Sequence, residues 1–324
     1  HNIIVTCHVS PDGDAMGAVL AFSHFLWRKG KNAQPVVPNI FPDFLKWMPG
    51  VERVRIYEKH ENEVAPLVAA ADLIICLDFN APDRLQGLQK PVTDSQSPKI
   101  MIDHHLDPVD FCDWVVSRQE MSSTCELLYR ILVQLEGLEP MTYEEAVCLY
   151  TGMMTDTGCF SYNSNRSDIY YIIGRLLTKG IDKDKIYRNV FFNYSAERFR
   201  LMGYMLYVKL EYFSEYHASL MTLTREEQKR FSHKKGDTEG FVNIPLQIGK
   251  SRLSVFLRED TERHNIRVSL RSVDDFPCNR MAAEFFNGGG HLNASGGELS
   301  CTMDEAVQIV RKALKKYTSL LTDR

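Results

Sequence analysis

Aspartates and histidines in the first half of the chain gather where apolar runs give way to turns. His8 precedes Asp12 and Asp14 in HVSPDGDAMG, Asp78 follows LIICL, and Asp103-His104-His105 closes the run that begins with IMI. A further carboxylate, Asp156, stands in TDTG just past a helical pattern. Oxygen and imidazole donors without thiolates suit Mn²⁺ or a similar divalent ion better than structural zinc. They are too many for one ion. Two ions roughly 3.5–4 Å apart and bridged by one carboxylate would use them all, and such a pair can clamp the attacking and leaving oxygens of phosphoryl transfer.

Each of these residues also has a plainer reading. Asp12 and Asp14 around Gly13 suit a tight turn equally well, although the third Asp and closing Glu of an EF-hand are absent. Asp78 could cap a helix, and a lone His8 would more often be a satisfied core histidine. Asp-His-His is harder to dismiss, because three adjacent polar groups at the mouth of a buried strand need partners.

The elements that must position these residues follow from patterning. Asn2 to His8 is a β-branched apolar run, followed by a dense turn signal and then by Ala15, Val19, Phe22 and Leu26 at helical spacing, with Gly30 offering a C-cap. Leu73–Leu77 and Ile100–Ile102 read as strands buried on both faces of a parallel sheet. Capping-box patterns at Ser123 and Thr142 start further helices, and the Ser123 helix could point its N-terminus at a substrate phosphate. In open parallel sheets the ligand crevice lies beyond the carboxyl ends of the strands, where His8, Asp78 and Asp103–His105 would meet.

The expected fold class is therefore α/β: a mostly parallel sheet flanked by helices over residues 1–190, a helical linker over 191–207, and a smaller C-terminal α+β domain over 208–324. In the last region, YVKLEYF, HASLMTL, LSVFL and IRVSLRS read as β-forming runs, followed by a helix over Asn279–Phe286, a glycine-rich GGGH and a final amphipathic helix over Met303–Leu321.

Composition sets the bounds. The 324 residues are 44% hydrophobic and 25% charged, as in average soluble globular proteins, which sets aside disordered, collagen-like and coiled-coil classes. No apolar run reaches the roughly 18–20 residues needed to span a bilayer. The net charge of −4 hides a split, with 12 Lys/Arg against 22 Asp/Glu over residues 1–160 and 26 against 20 beyond. Such a balance argues against an extended nucleic-acid track and favours a small phosphorylated substrate. Eight scattered cysteines form neither a disulfide framework nor a zinc knuckle, so a cytoplasmic location is expected. The chain opens at His1 with a strand already under way, so native residues are expected to precede it, and any signal peptide would be invisible.

HVSPDGDAMG, LDFN, IDHH and GMMTDTGCF resemble, in order, the four signature motifs of the DHH phosphoesterase superfamily. RVSLRS at 267–272 and FFNGGGHLNASGG at 285–297 resemble its DHH-associated domain, and the layout resembles stand-alone bacterial nanoRNases that also act as pAp phosphatases. The resemblance implies two Mn²⁺ ions per site, with Mg²⁺ or Co²⁺ as substitutes. It implies His8 and Asp12 on one ion, Asp14, His104 and Asp156 on the other, and Asp78 on both. Asp103 would orient the ligand histidine, and His105 would face the scissile phosphate; these two are the candidate catalytic residues. Hydrolysis would proceed through a metal-bridged hydroxide, without a covalent intermediate.

In the second region, period two puts Arg267, Ser269 and Arg271 on one face of a strand, two guanidinium forks flanking a hydroxyl, as a terminal phosphate would require. A solvated strand face is the alternative. Gly288, Gly289 and Gly290 would let backbone N–H groups approach an anion, with His291 adding a donor or stacking surface. The expected activity is hydrolysis of short oligoribonucleotides to mononucleotides and dephosphorylation of pAp. Alternatives are hydrolysis of pApA or cyclic di-AMP, exopolyphosphatase or inorganic pyrophosphatase activity, and a nucleotide-sensing protein with a degenerate metal site. The expected partners are the substrates alone, with no membrane, and a homodimer as a possible assembly.

Overall fold

Successive residues of β1 (Asn2–Thr6) face different cores. Ile3 and Val5 belong to one buried cluster and Ile4 to another, on opposite faces of the sheet. The same alternation places Ile75 and Leu77 of β4 in the first cluster and Ile74 and Cys76 in the second. Strands buried on both faces lose their polar alternation, which is why they read as continuous apolar runs.

The structure is a computed structural model that describes residues 2–192, 194–234 and 236–322. It divides into two units, residues 1–193 and 194–324. In chain order, the first unit contains β1, α1 (Gly13–Arg28), β2 (Asn32–Val37), β3 (Arg55–Ile56), α2 (Glu61–Ala69), β4 (Leu73–Leu77), α3 (Gln89–Asp94), β5 (Lys99–Asp103) and β6 (Trp114–Ser117). There follow α4 (Thr124–Glu136), α5 (Tyr143–Asp156), α6 (Ser167–Leu177) and α7 (Lys183–Phe191). All five strand pairings are parallel, in the order β3-β2-β1-β4-β5-β6. The order in which strands are added to the sheet therefore reverses between β1 and β4. In doubly wound sheets this switch point opens a crevice at the strand ends.

Strands β2, β3 and β6 were not foreseen. Pro35 breaks the strand signal in β2, yet it is tolerated because β3 pairs only with Val36 and Val37. Only two residues form β3, and β6 lies at a sheet edge with Trp114 and Val115 exposed. The Thr142 capping box forms as expected. At Ser123 only half of it forms. The Ser123 hydroxyl accepts the Glu126 N–H, but the Glu126 carboxylate turns to Ser122 instead.

The second unit begins with α8 (Ala196–Tyr204). Then come β7 (Glu211–Phe213), β8 (Ala218–Leu223), α9 (Arg225–Arg230), β9 (Leu253–Glu259), β10 (Ile266–Ser272), α10 (Cys278–Phe285), β11 (Gly289–Gly290), β12 (Ala294–Leu299), α11 (Met303–Lys316) and α12 (Thr318–Thr322). Its sheet runs β11-β12-β10-β9-β8-β7, antiparallel except for the β8–β9 pair. Leu201 of α8 and Met205 pack with Met221 and Phe256 on one face, while Val255, Val268 and Leu270 face the core beneath α10 and α11. Among the described residues, no helix is long and apolar enough to cross a membrane.

Candidate metal centre

The switch point brings six of the predicted residues together. His8 follows β1, Asp14 lies in the first turn of α1, Asp78 follows β4, His104 follows β5, and Asp156 ends α5. Asp12 serves two purposes at once. Its Oδ1 accepts the N–H groups of Asp14 and Ala15, each at 3.0 Å, and so caps α1, while its Oδ2 lies 3.8 Å from His8 Nε2. Asp12 thus forms the turn expected of Asp-Gly-Asp and also stands in donor range of His8.

The donors fall into two groups. His8 Nε2 lies 3.4 Å from Asp78 Oδ2, completing a set with Asp12. His104 Nε2 lies 3.6 Å from Asp156 Oδ2, 4.0 Å from Asp14 Oδ2 and 3.7 Å from Asp78 Oδ1. Asp78 thus offers one carboxylate oxygen to each group. These separations lie within the roughly 3–4 Å span open to two donors each about 2.1 Å from one ion. The His8 ring is oriented by its Nδ1, 2.8 Å from the Val9 carbonyl, and the His104 ring by its Nδ1, 3.3 Å from the Met121 carbonyl. Such contacts fix the tautomer and turn Nε2 towards the carboxylates.

Asp103 is fully buried, with His105 as its partner. Its Oδ2 accepts the His105 backbone N–H at 3.1 Å and its Oδ1 lies 2.7 Å from His105 Nδ1. The orienting contact expected between Asp103 and a ligand histidine therefore falls on His105. The cause is local: a bend after β5 folds residue 105 back over its own strand end. His105 Nδ1 is also 3.8 Å from Asp78 Oδ1.

Electrostatics marks these carboxylates as a charge sink. Burial, and then the charges of Asp78, Asp156 and Asp12, hold the Asp14 carboxyl well above the usual range. Burial also pushes Asp156 up to about 7, with Asp12 and Asp78 adding to it and His104 and His105 opposing. Asp78 goes the other way. Burial would raise it, but the His8 hydrogen bond and the fields of His105, His8 and His104 outweigh burial and hold it far below the carboxylate range. Crowded buried carboxylates need protons or cations, and an all-oxygen and imidazole donor set fits divalent cations such as Mn²⁺.

Several groups at the centre escaped the sequence reading. The backbone N–H groups of Thr124 and Cys125 bind the Asp14 carboxylate, and the Thr124 hydroxyl donates to Asp78 Oδ1 at 2.7 Å. The start of α4 thus addresses protein carboxylates, where the sequence had allowed a substrate phosphate. Its capping pattern was legible, but the direction it points in was not. Arg84 is the other. Its guanidinium opposes a charge on both His8 and His105, and among the described residues it makes no salt bridge. Gly152 has a steric role. A Cβ there would fall 2.2 Å from Cys125 Sγ and 2.8 Å from Asp14 Oδ1, so only glycine lets α5 close on α1 and α4.

In the second unit Arg267, Ser269 and Arg271 do share one half-buried face of β10. Beside Ser269 stand Gly296 of β12, which adds no side chain, and Phe256 of β9. The two arginines differ. Arg267 Nε donates to Asp260 Oδ2 at 2.6 Å and its Nη1 lies 3.5 Å from Glu298 Oε1, whereas Arg271 donates to the Leu270 carbonyl at 2.9 Å. Arg267 is therefore not the open guanidinium fork expected from alternation, because Asp260, just past β9, and Glu298 of β12 reach it. Gly289 and Gly290 form β11, and Gly288 lies against β12, where a Cβ would meet the Gly296 carbonyl oxygen at 1.8 Å. The His291 N–H donates to the Ala294 carbonyl at 2.8 Å, closing the turn from β11 to β12.

Comparison with known proteins agrees with this architecture. The profile of the DHH family N-terminal domain matches residues 2–153, and that of the DHHA1 domain matches residues 221–318. Over 315 residues the chain is 30% identical to the bifunctional oligoribonuclease and PAP phosphatase NrnA of Thermus thermophilus, covering 97% of this chain and 89% of that one. It is 24% identical over 326 residues to the cyclic-di-AMP phosphodiesterase PdeA of Listeria monocytogenes, covering 97% of this chain and 47% of that longer protein. A crystal structure of an exopolyphosphatase-related protein from Bacteroides fragilis superposes with a TM-score of 0.95 at 53% identity, covering 99% of this chain and 94% of that one. The fold and the donor set define a metal-dependent hydrolase of phosphoester bonds. The chain belongs to the DHH family, with a DHHA1 domain following the DHH domain.

Proposed function

We propose that this protein hydrolyses short oligoribonucleotides to mononucleotides and removes the 3′-phosphate of pAp, with two Mn²⁺ ions at the strand ends of the first unit. The observation that carries the reading is Asp78, which presents Oδ2 to His8 and Oδ1 to His104. His8, Asp12 and Asp78 would hold one ion, and Asp14, His104 and Asp156 the other, joined by the Asp78 oxygen that lies 3.7 Å from His104 Nε2. When bound, such a pair lowers the pKa of water towards neutrality and offsets charge on the phosphoryl oxygens.

The chain's own residues supply the rest. His105, held by Asp103, presents an imidazole beside Asp78, from which it can donate to a phosphate oxygen or to the leaving oxygen. Arg84 adds a cation beside His8 and His105, suited to the charge of the scissile phosphate. In the second unit, Arg271 and Ser269, with the bare glycine surface of β11 and β12, provide donors for a terminal phosphate or nucleotide. Arg267 would act with them mainly by holding Asp260 and Glu298 in place. The similarity to NrnA over nearly the whole chain supports this substrate class. No long strand is expected to be processed, and a cytoplasmic location is in keeping with eight free cysteines.

The test is a substrate panel. Purified protein with Mn²⁺ is given a diribonucleotide, pAp, cyclic di-AMP, pyrophosphate, polyphosphate and a long single strand, each with a chelator control. Turnover of the dinucleotide and pAp, abolished by chelation, is expected. Hydrolysis confined to polyphosphate or pyrophosphate would overturn the nucleotide reading. That outcome belongs in the panel because the Bacteroides fragilis protein is described as exopolyphosphatase-related.

A further inference from the structure

The N-terminus of α4 faces the acidic centre. Ser123 caps the helix through the Glu126 N–H at 3.0 Å. The next two free N–H groups bind the two oxygens of one carboxylate, Thr124 N–H to Asp14 Oδ2 at 2.7 Å and Cys125 N–H to Asp14 Oδ1 at 2.9 Å. The Thr124 hydroxyl donates to Asp78 Oδ1 at 2.7 Å. Thr124 is fully buried, and Asp14 and Asp78 are 1% and 2% exposed, so water cannot stand in for these donors. One residue therefore contacts both the carboxylate shared by the two donor groups and a carboxylate that belongs to only one of them.

Asp78 needs such a constraint. Its backbone sits at φ 65°, the left-handed region, held by its N–H bond to the Ile102 carbonyl at 3.1 Å. The terminal torsion of a carboxylate is broad and nearly two-fold. Backbone position alone would therefore not hold the plane of the carboxylate with one oxygen towards His8 and the other towards His104. A donor fixed on Oδ1 holds it, provided the donor itself cannot move. Thr124 cannot. Behind it, fully buried Glu126 accepts the Ser122 N–H and hydroxyl, each at 2.7 Å, and is clasped by Arg130 and Arg166, each at 2.6 Å.

We infer that Thr124 is a positioning residue. Its hydroxyl fixes the Asp78 carboxylate with one oxygen towards each donor group, so that a pair of ions can share it. The inference rests on the two-ion reading above and adds a residue that lies outside the donor set. A purely structural threonine would affect stability while leaving ion pairing alone.

The experiment titrates Mn²⁺ into the metal-free full chain and follows it by electron paramagnetic resonance, comparing wild type, Thr124→Val and Thr124→Ser. Wild type should take up two ions that give the spectrum of a spin-coupled pair. Thr124→Val should bind the second ion about 10–100-fold more weakly, the range seen when a partner of a metal ligand is lost, and should show uncoupled ions. Thr124→Ser keeps the hydroxyl and should restore both affinity and coupling. Thr124→Val with wild-type affinity and coupling would overturn the inference while leaving the two-ion centre intact. A wild type that binds one ion or none would instead overturn the two-ion reading. Circular dichroism reports folding, and if Thr124→Val does not fold, Thr124→Ala carries the same comparison.

Discussion

Asp103 holds His105 by two hydrogen bonds, one from the backbone N–H at 3.1 Å and one from Nδ1 at 2.7 Å. The pair lies beside the metal-donor groups, with His105 Nδ1 3.8 Å from Asp78 Oδ1 and its ring 4.9 Å from that of His104. An imidazole fixed in this way presents Nε2 in one direction, and the Asp103 charge stabilises the protonated ring. Replacing Asp103 with asparagine keeps the shape and removes the charge. We predict a fall in kcat of about 10–100-fold with unchanged Mn²⁺ stoichiometry, measured by steady-state kinetics and metal analysis on the same preparation. A parallel loss of bound metal would place Asp103 among the ligands.

Asp78 is expected to be the most sensitive carboxylate, since both donor groups use it. Asp78→Ala should lower turnover by about 10³-fold or more, a loss of about 4 kcal/mol of transition-state stabilisation. The metal-free protein should keep its fold. Burial and the Asp78 charge are among the causes that raise Asp14, so removing Asp78 relieves part of that repulsion. Activity and the far-ultraviolet circular dichroism of the metal-free variant check this together. Near-normal turnover would exclude a shared carboxylate.

How much of this was legible in the sequence depended on the range of the interaction. His8, Asp78 and His104 could be found because each follows a strand whose apolar run announces it, and the crevice rule for parallel sheets then brings them together. β2 was missed because Pro35 interrupts its pattern, and its pairing with β1 depends on neighbours that no local window contains. The Thr124–Asp78 bond spans 46 residues and the Cys125–Asp14 bond 111. A capping signal gives the start of a helix but not what the helix points at. The same limit hid the Asp260 and Glu298 partners of Arg267, since alternation assigns a face and says nothing about which acids flank it.

Arg84 and the arginines of β10 should therefore separate in their kinetics. Arg84, without a salt bridge among the described residues and close enough to oppose charge on His8 and His105, is expected to act on the scissile phosphate. Arg84→Gln should lower kcat/KM by about 10²-fold, close to the 2–3 kcal/mol range of a charged hydrogen bond. Circular dichroism should show no loss of fold. A change confined to Mn²⁺ affinity would mean that Arg84 tunes the centre and does not touch substrate.

Arg271→Ala should raise KM for a dinucleotide while Mn²⁺ binding stays at the wild-type level. Arg267→Ala should instead lower the stability of the second unit, because it removes the cation paired with the largely buried Asp260 carboxylate. Kinetics and melting curves of the two variants, read side by side, distinguish these roles. Equal effects on KM would restore Arg267 to the substrate face.

The Asp260–Arg267 pair also gives a pH dependence whose sign is fixed. Burial would raise the Asp260 carboxyl, but the Arg267 hydrogen bond and the N–H groups of Glu262 and Arg263 outweigh it and bring it down to about 2. A carboxyl depressed in the folded chain stabilises it above the ordinary aspartate range near pH 4, and that stability is lost as pH falls through about 2. Because the Arg267 side chain is 41% exposed, solvent screening reduces the contribution to about 1 kcal/mol, or roughly fivefold in an opening equilibrium. All three tryptophans, Trp27, Trp47 and Trp114, lie in the first unit, so fluorescence would not report it. Hydrogen exchange of β9 and β10 amides would. Asp260→Asn should exchange about fivefold faster than wild type at pH 5, and the gap should close as pH approaches 2. A gap that stays constant down to pH 2 would mean that Asp260 stabilises β10 through hydrogen bonds that survive its protonation and not through its charge.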